Sequence, residues 1–405
     1  MQPVGFPATS SSDDYWNMRN NAGLYGTARR GDSFVTPPAP SGADWCPAKH
    51  TPIRTQPVIP TPTPPASAIS TASANLLSNN KSRGSQACCV YLLNRSCLAL
   101  QVECLTTVTA GQILQQIADA PCEPGLGQDA CLVFAVWIAN ADFELQLEPG
   151  RAPYEVYKVW TELVNAYCTL PVPLVGEPKL ILQRNVTLGE EEERAICQRN
   201  SSVLELLYHE ARCNVLDGRY PVTEHVALRL AAFQAAIELE GQSACDVLAD
   251  KAGHYLPHRH IKSSFFGQSI EKKLVQEYKD LLMCRCTDKH SLMRDYLDVC
   301  RKLVFYGSAF FEGALDSFFG SRDVVVAINR RGLHILTKDG RLEGSYLFSI
   351  NQYPPLFNWD YGRPVQKGLE PCLYVSDGYM SSHQIFSKQS FLMDKMLMVL
   401  QPSKL

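Results

Sequence analysis

The sequence predicts an α+β, multidomain chain of three folded lobes behind a disordered tail. Two observations predict it. Twelve of the 26 prolines fall before Ala66, and the composition breaks at Cys88, where the first apolar strand pattern begins. From there the apolar period changes twice: strand-like with a helix up to about residue 170, helical from Lys179, and strand-like again from Tyr306. The expected boundaries are 1–85 for the tail, 86–175 for the first lobe, 176–303 for the second and 304–401 for the third.

In the tail, prolines alternate with Ser, Thr, Ala and Gly, and no apolar period lasts more than a few residues. Such a segment buries too little surface to offset the entropy of ordering it. In the first lobe, CVYLLN (Cys89–Asn94) and CLALQVEC (Cys97–Cys104) flank an Asn94-Arg95-Ser96 turn. Leu98, Leu100, Val102 and Cys104 alternate as a half-buried strand does. A helix from about Thr109 carries Ile113, Leu114 and Ile117. Two strands follow, CLVFAVWIAN (Cys131–Asn140) and FELQLEP (Phe143–Pro149), and Tyr154–Tyr167 reads as a closing helix. Hairpin, helix and strands in that order are ubiquitin-like.

In the second lobe, Ser202-x-x-Glu205 is a capping-box signature opening a helix with Val203, Leu206, Leu207, Ala211 and Val215 inward. A second helix runs from about Thr223 to Gly241. Two more carry Ile270, Leu274, Tyr278 and Leu281, then Leu292, Tyr296, Val299 and Leu303. In the third, YGSAFFEG, VVVAIN, GLHILTK, YLFSINQY, CLYVSDG and HQIFSK read as strands, with Arg331-Gly332 and Asp339-Gly340 as turns. Ser390–Leu400 reads as a helix with Leu392, Met396, Val399 and Leu400 on one side. Strands closed by one helix describe a PH/PTB-like barrel.

Charge and motifs narrow the function classes. Residues 1–85 carry seven Lys/Arg against four Asp/Glu, so of 38 basic and 41 acidic residues the remainder leaves the folded body at −6. A mildly acidic body without a basic stripe argues against nucleic acid. The start has no basic n-region and no apolar run, so no secretory signal is expected. Ala130–Ala141 is too short to span a bilayer, and no lipidation motif stands at either end. Membrane association is therefore expected to be peripheral. The 15 cysteines include no C-x-x-C and should stay reduced as small hydrophobes. Neither metal nor other cofactor is expected. His254-x-x-x-His258-x-His260 resembles a ligand set, but Pro257 and Arg259 interrupt any shared helical face, and a turn between helices is the plainer reading. Gly125-x-Gly127-x-x-Ala130 precedes a strand, not the helix that a dinucleotide fingerprint opens. No G-x-S-x-G is present, and no local cysteine-protease signature; a cysteine-dependent enzyme is the remote alternative. In the tail, Arg54-Thr-Gln-Pro57-Val-Ile-Pro60 has the basic residue and P-x-x-P spacing that docks a polyproline helix on an SH3 groove. Against it stands a chance match in a Pro-rich segment. Thr36-Pro37, Thr51-Pro52, Thr61-Pro62 and Arg30-x-x-Ser33 are candidates for phosphorylation.

NVLDGRYPVTEHVALRLAAFQAAIELEG (Asn214–Gly241), LVFYGSAFFEG (Leu303–Gly313) and VVVAINRRGLHIL (Val324–Leu336) together resemble the FERM family over residues 86–401. That resemblance implies a ubiquitin-like first lobe, an acyl-CoA-binding-protein-like helical second lobe and a PH/PTB-like third. Val133–Val164, Leu180–Leu188 and Phe305–Asp316 resemble a branch of the family whose members are adaptors at the cytoplasmic face of the plasma membrane. The branch binds cytoplasmic tails of iRhom pseudoproteases, supports a surface sheddase complex and is linked to Wnt co-receptor tails. The sequence departs from it in the longer tail and the loop Pro354–Pro371. A receptor-tail adaptor needs only a peptide groove. A membrane–cytoskeleton linker needs a further actin-binding element, for which the sequence after the third lobe leaves little room. A small-GTPase-regulated scaffold is the other alternative. By resemblance, a partner peptide lies along Ser382–Ser387, with His383, Ile385 and Ser387 on one face and the last helix opposite. Phe391, Lys395 and Met398 form the facing stripe, distinct from Leu392, Met396 and Val399. The competing reading is that these side chains cap the barrel core. Arg330-Arg331 is an expected phosphoinositide contact, or else an exposed hairpin tip; no Lys-rich lipid cluster accompanies it.

Overall fold

The computed structural model describes residues 85–401 apart from 121–124, 169–175, 240–243, 262–268, 285–287, 318–319, 349–354, 366–367 and 378–381. The tail with Arg54, Pro57 and Pro60, its phosphorylation candidates, and the helix stop expected at Gly241 lie outside the described residues.

The first sheet begins with β1 (Gln86–Leu92) and β2 (Cys97–Val102), antiparallel across the expected turn. Arg95 takes φ 71° there, and the Asn94 carboxamide oxygen accepts from the Ser96 amide at 3.0 Å. Helix α1 (Ala110–Asp119) starts at Thr109, which forms a capping box with Gln112, and buries Ile113 and Ile117. After a single turn, α2 (Asp129–Val133), come β3 (Phe134–Ala139) and the short β4 (Glu144–Gln146). Every residue of β3 is buried because its two faces serve two cores. Phe134, Val136 and Ile138 pack in the lobe's own core, while Ala135 and Trp137 pack with the third lobe. The closing helix is two, α3 (Pro153–Lys158) and α4 (Trp160–Tyr167). The Val159 amide turns onto the Val156 carbonyl at 3.2 Å and interrupts the α ladder.

The first lobe does not end at residue 175. Strand β5 (Lys179–Arg184) enters the middle of its sheet, in the order β2-β1-β5-β3-β4, parallel to β1 and antiparallel to β3. Its residues are buried on both sides, which erases the alternation that marks a half-exposed strand.

Eight helices are described in the second lobe. Helix α5 (Glu190–Arg199), which the apolar pattern does not announce, opens with four glutamates that suit a helix N-terminus. Helix α6 (Ser201–Leu216) is capped by Asn200, whose side chain accepts from the Val203 amide, not by the box expected at Ser202. Helix α7 (Glu224–Glu238) starts at Thr223 as the sequence predicts. Three short helices, α8 (Ala244–Asp250), α9 (Ala252–Tyr255) and α10 (His258–Ile261), lead to α11 (Ile270–Cys284) and α12 (Lys289–Arg301).

The third lobe is a seven-stranded sheet of β6 (Ala309–Ser317), β7 (Gly320–Asn329), β8 (Gly332–Thr337), β9 (Leu342–Leu347), β10 (Leu356–Val365), β11 (Gly368–Ser376) and β12 (Ser382–Phe386), closed by helix α13 (Ser390–Leu400). Its order is β10-β11-β12-β6-β7-β8-β9, so β10 and β9 are the terminal strands. The stretch expected as a loop from Pro354 to Pro371 holds β10, paired with β11 from Leu356↔Ser376 to Val365↔Gly368. Pro364 is tolerated because the strand is an edge. The barrel seam of α13 is Met393, Leu397 and Leu400, with Leu392 and Met396 partly buried beside it. Val399, expected inward, is 68% exposed.

Candidate functional site

Two regions concentrate the chemistry: a buried polar joint where the lobes meet, and the outer face of the third lobe. At the joint, Glu193 of α5 is fully buried and accepts from Arg184 Nε at 2.6 Å, Arg301 Nε at 2.9 Å and the Tyr306 hydroxyl at 2.7 Å. One carboxylate thereby ties the last strand of the first lobe, the last helix of the second and the entry to the third. Burial alone would raise its pKa, but Arg184 and Arg301 overcome that and hold it below the usual carboxylate range. Arg184 also donates to the Asn185 and Leu188 carbonyls, at 3.1 and 3.0 Å. Gly307, at φ +68°, lets the chain pass the Arg184 guanidinium, which a Cβ would meet at 2.5 Å.

The β7–β8 hairpin tip belongs to this joint. Arg330 donates to the Thr187 carbonyl at 2.8 Å, and Arg331 donates to the Leu303 carbonyl at 2.8 Å and pairs with Glu190. Arg330 stays exposed and Arg331 partly so, as the hairpin-tip reading has it, with each guanidinium group also tied to the joint.

On the outer face the expected groove residues separate. His383 contacts the Tyr346 hydroxyl, Ile385 is fully buried in the barrel core, and the Ser387 hydroxyl donates to the Glu312 carbonyl. Strand β12 lies between β11 and β6, with Ile385↔Leu315 and Phe386↔Ala314 paired on the second side. From Ile385 onward the strand is paired on both sides, so Ile385 is not open to an added strand. Phe391 and Lys395 do face outward. The Lys395 ammonium lies 5.3 Å from the Phe391 ring centroid, and that ring meets Trp359 of β10 edge to face at 5.4 Å.

Helix α13 lies beside β10 along its length. Trp359 Nε1 donates to Ser390 Oγ at 3.1 Å near the helix start, and Gln401 Nε2 donates to the Pro355 carbonyl at 3.4 Å past its end. Among the described residues β10 has a strand partner on one side only, and Leu356 on it and Met398 and Val399 on α13 are exposed. Sequence reading missed this edge; Pro364 on an otherwise strand-length stretch was the available signal.

The remaining candidates scatter. His254 approaches Glu238 at 3.6 Å, His260 bonds the Val222 carbonyl at 2.9 Å, and His258 is exposed. Burial pushes the Cys88 and Cys168 thiols up to about 12, which suits packing better than nucleophilic attack.

The FERM central domain model matches residues 198–311. FERM domain-containing protein 8 from Xenopus tropicalis is 30% identical over 359 residues, covering 80% of this chain and 77% of that protein. The chain belongs to the FERM domain-containing protein 8 family. The human member is 30% identical over 348 residues, covering 76% of the chain and 72% of its own length. The FERM fold is shared with more distant structures. The human myosin 7b MyTH4-FERM domain, solved in complex with a harmonin-a PDZ domain, superposes with a TM-score of 0.55 at 15% identity, over 78% of this chain and 60% of that one. The Drosophila merlin FERM and C-terminal domain complex gives 0.50 at 12%, over 78% and 94%. No helix among the described residues is long and apolar enough to cross a membrane.

Proposed function

We propose that this FERM protein is a non-enzymatic adaptor whose third lobe takes an extended segment from the cytoplasmic tail of a membrane protein. The segment adds as a strand to the edge of β10 that has no strand partner among the described residues, with its side chains against α13. One observation carries the reading: a ten-residue terminal strand lies beside a helix that leaves Met398 and Val399 more than 60% exposed. Main-chain bonds at such an edge supply affinity, and side-chain contacts supply choice of partner. An unpaired edge flanked by apolar side chains is otherwise a liability for aggregation.

The family resemblance makes iRhom pseudoprotease tails the first candidates and Wnt co-receptor tails the next, at the cytoplasmic face of the plasma membrane. The SH3-ligand reading of Arg54, Pro57 and Pro60 is a separate proposal, tested by loss of SH3 binding in Pro57→Ala, Pro60→Ala. Affinity capture of the intact protein from its own cells tests the adaptor reading against a cytoskeletal linker. Polytopic membrane proteins should be enriched; actin or spectrin in their place overturns it. At the site, Phe391→Ala with Lys395→Glu removes an apolar contact and inverts a charge. Tail binding should weaken by about thirtyfold, the effect of losing a hot spot of ~2 kcal/mol. Unchanged binding by the folded double variant sinks the α13–β10 site.

A further inference from the structure

Beside the Glu193 cluster, Arg219 reaches from the second lobe into the space between the other two. Its terminal nitrogens pair with Glu144 of β4, and its guanidinium lies 4.8 Å from the Phe310 ring centroid on β6. Behind it is a cavity of about 10 Å³, lined by Trp137 and Gln183 of the first lobe, Arg219 of the second and Ser308 of the third, among others.

Each of those four side chains has a buried polar atom with no hydrogen-bond partner among the described residues: Trp137 Nε1, Gln183 Nε2, Arg219 Nε and Ser308 Oγ. Buried polar atoms in folded proteins are almost always bonded, to protein or to an ordered guest. Here four of them, from three lobes, border the same small space. Indole Nε1 and guanidinium Nε only donate, an amide Nε2 donates, and a hydroxyl does either. The common demand is for an acceptor.

We propose that this cavity is a binding site for one water-sized hydrogen-bond acceptor, a water molecule or a halide ion, held by all three lobes at once. The volume matches a single occupant of that size. The charges around it favour water. Arg184 and Arg219 also border the cavity and are offset by Glu144 and Glu210, so the surroundings are close to neutral. A water accepts from two of the donors and returns its own protons to Ser308 Oγ and a neighbouring carboxylate oxygen. The lobes then meet through a guest at a point where these four polar atoms do not reach one another.

The test is a crystal structure of the full chain from bromide-containing solution, at a resolution that shows ordered water. A density peak within hydrogen-bonding distance of Trp137 Nε1 and Ser308 Oγ is expected. Anomalous signal at the peak identifies a halide, and its absence identifies water. An unfilled cavity, or four side chains turned onto protein partners, overturns the site. In solution, ¹⁵N-tryptophan labelling of the full chain, with Trp137→Phe to assign the indole resonance, reads the same point. Water, the favoured occupant, should cross-relax with the Trp137 indole proton as a long-lived neighbour, and Gln183→Leu should abolish the signal by filling the space. A Trp137 indole proton exchanging freely with bulk solvent overturns the proposal.

Discussion

The joint between the lobes and the α13–β10 face are built from opposite materials. The joint buries charge: Glu193 is fully enclosed with Arg184 and Arg301, and each partner comes from a different part of the chain. The outer face exposes apolar surface, with Met398 and Val399 of α13 in solvent and β10 paired on one side only among the described residues. A buried ion cluster contributes little net stability compared with an apolar replacement, yet it is costly to break and exacting in geometry. An exposed apolar edge contributes nothing to the fold and everything to a partner. Their difference separates holding the lobes in one arrangement from offering a surface, so substitutions in the two regions should fail in different assays.

The largest effect belongs to Glu193→Leu, which leaves two arginines buried without their carboxylate. A loss of about 3–5 kcal/mol is expected, read by chemical denaturation of the full chain; a loss under 1 kcal/mol would show that the cluster does not hold the lobes. Next comes acid sensitivity at His334, fully buried on β8, with Nδ1 bonded to Ser345 Oγ at 2.8 Å. Burial first, and Arg331 second, lower its pKa from 6.5 to about 4. Between those values the unfolded chain binds a proton that the fold refuses, so stability is complete above about 6.5 and declines as pH falls towards 4. The decline is roughly 3 kcal/mol, and His334→Gln should flatten it. Glu193 acts in a lower window: its contribution is complete above the ordinary carboxylate range and is lost as the pH falls from that range through its depressed pKa.

A smaller loss is expected for Gly307→Ala, about 2 kcal/mol, from a left-handed backbone and a Cβ that displaces Arg184. The smallest change in stability belongs to Phe391→Ala with Lys395→Glu, within ~0.5 kcal/mol as for other surface sites. The same pair should show the largest loss of tail binding. A reversal, in which Glu193→Leu abolishes binding while remaining fully stable, would place the partner at the joint.

Lobe order and most element types were legible because apolar period reports them directly. Thr109 and Thr223 cap the helices where the sequence put them. What escaped has particular causes. Strand β5 is buried on both faces and so carries no alternation. Strand β10 contains Gly362 and Pro364, which read as loop punctuation although an edge strand accepts both. In α13 nearly every position is apolar, leaving no polar face to set the helix phase, and Val399 was assigned to the wrong side. The Glu193 cluster joins residues 184, 193, 301 and 306, each unremarkable in its own segment. Only the fold brings them together.

The position of β5 also sets an order of events during synthesis. The two hairpins of the first sheet, β1–β2 and β3–β4, do not pair with each other; both dock on β5, which leaves the ribosome after them. A lone hairpin is marginal in water. Until Arg184 emerges, the nascent first lobe holds two unjoined ribbons with apolar faces open, the kind of surface on which chaperones act. A stop codon between α4 and β5 would therefore cost the first lobe along with the two behind it.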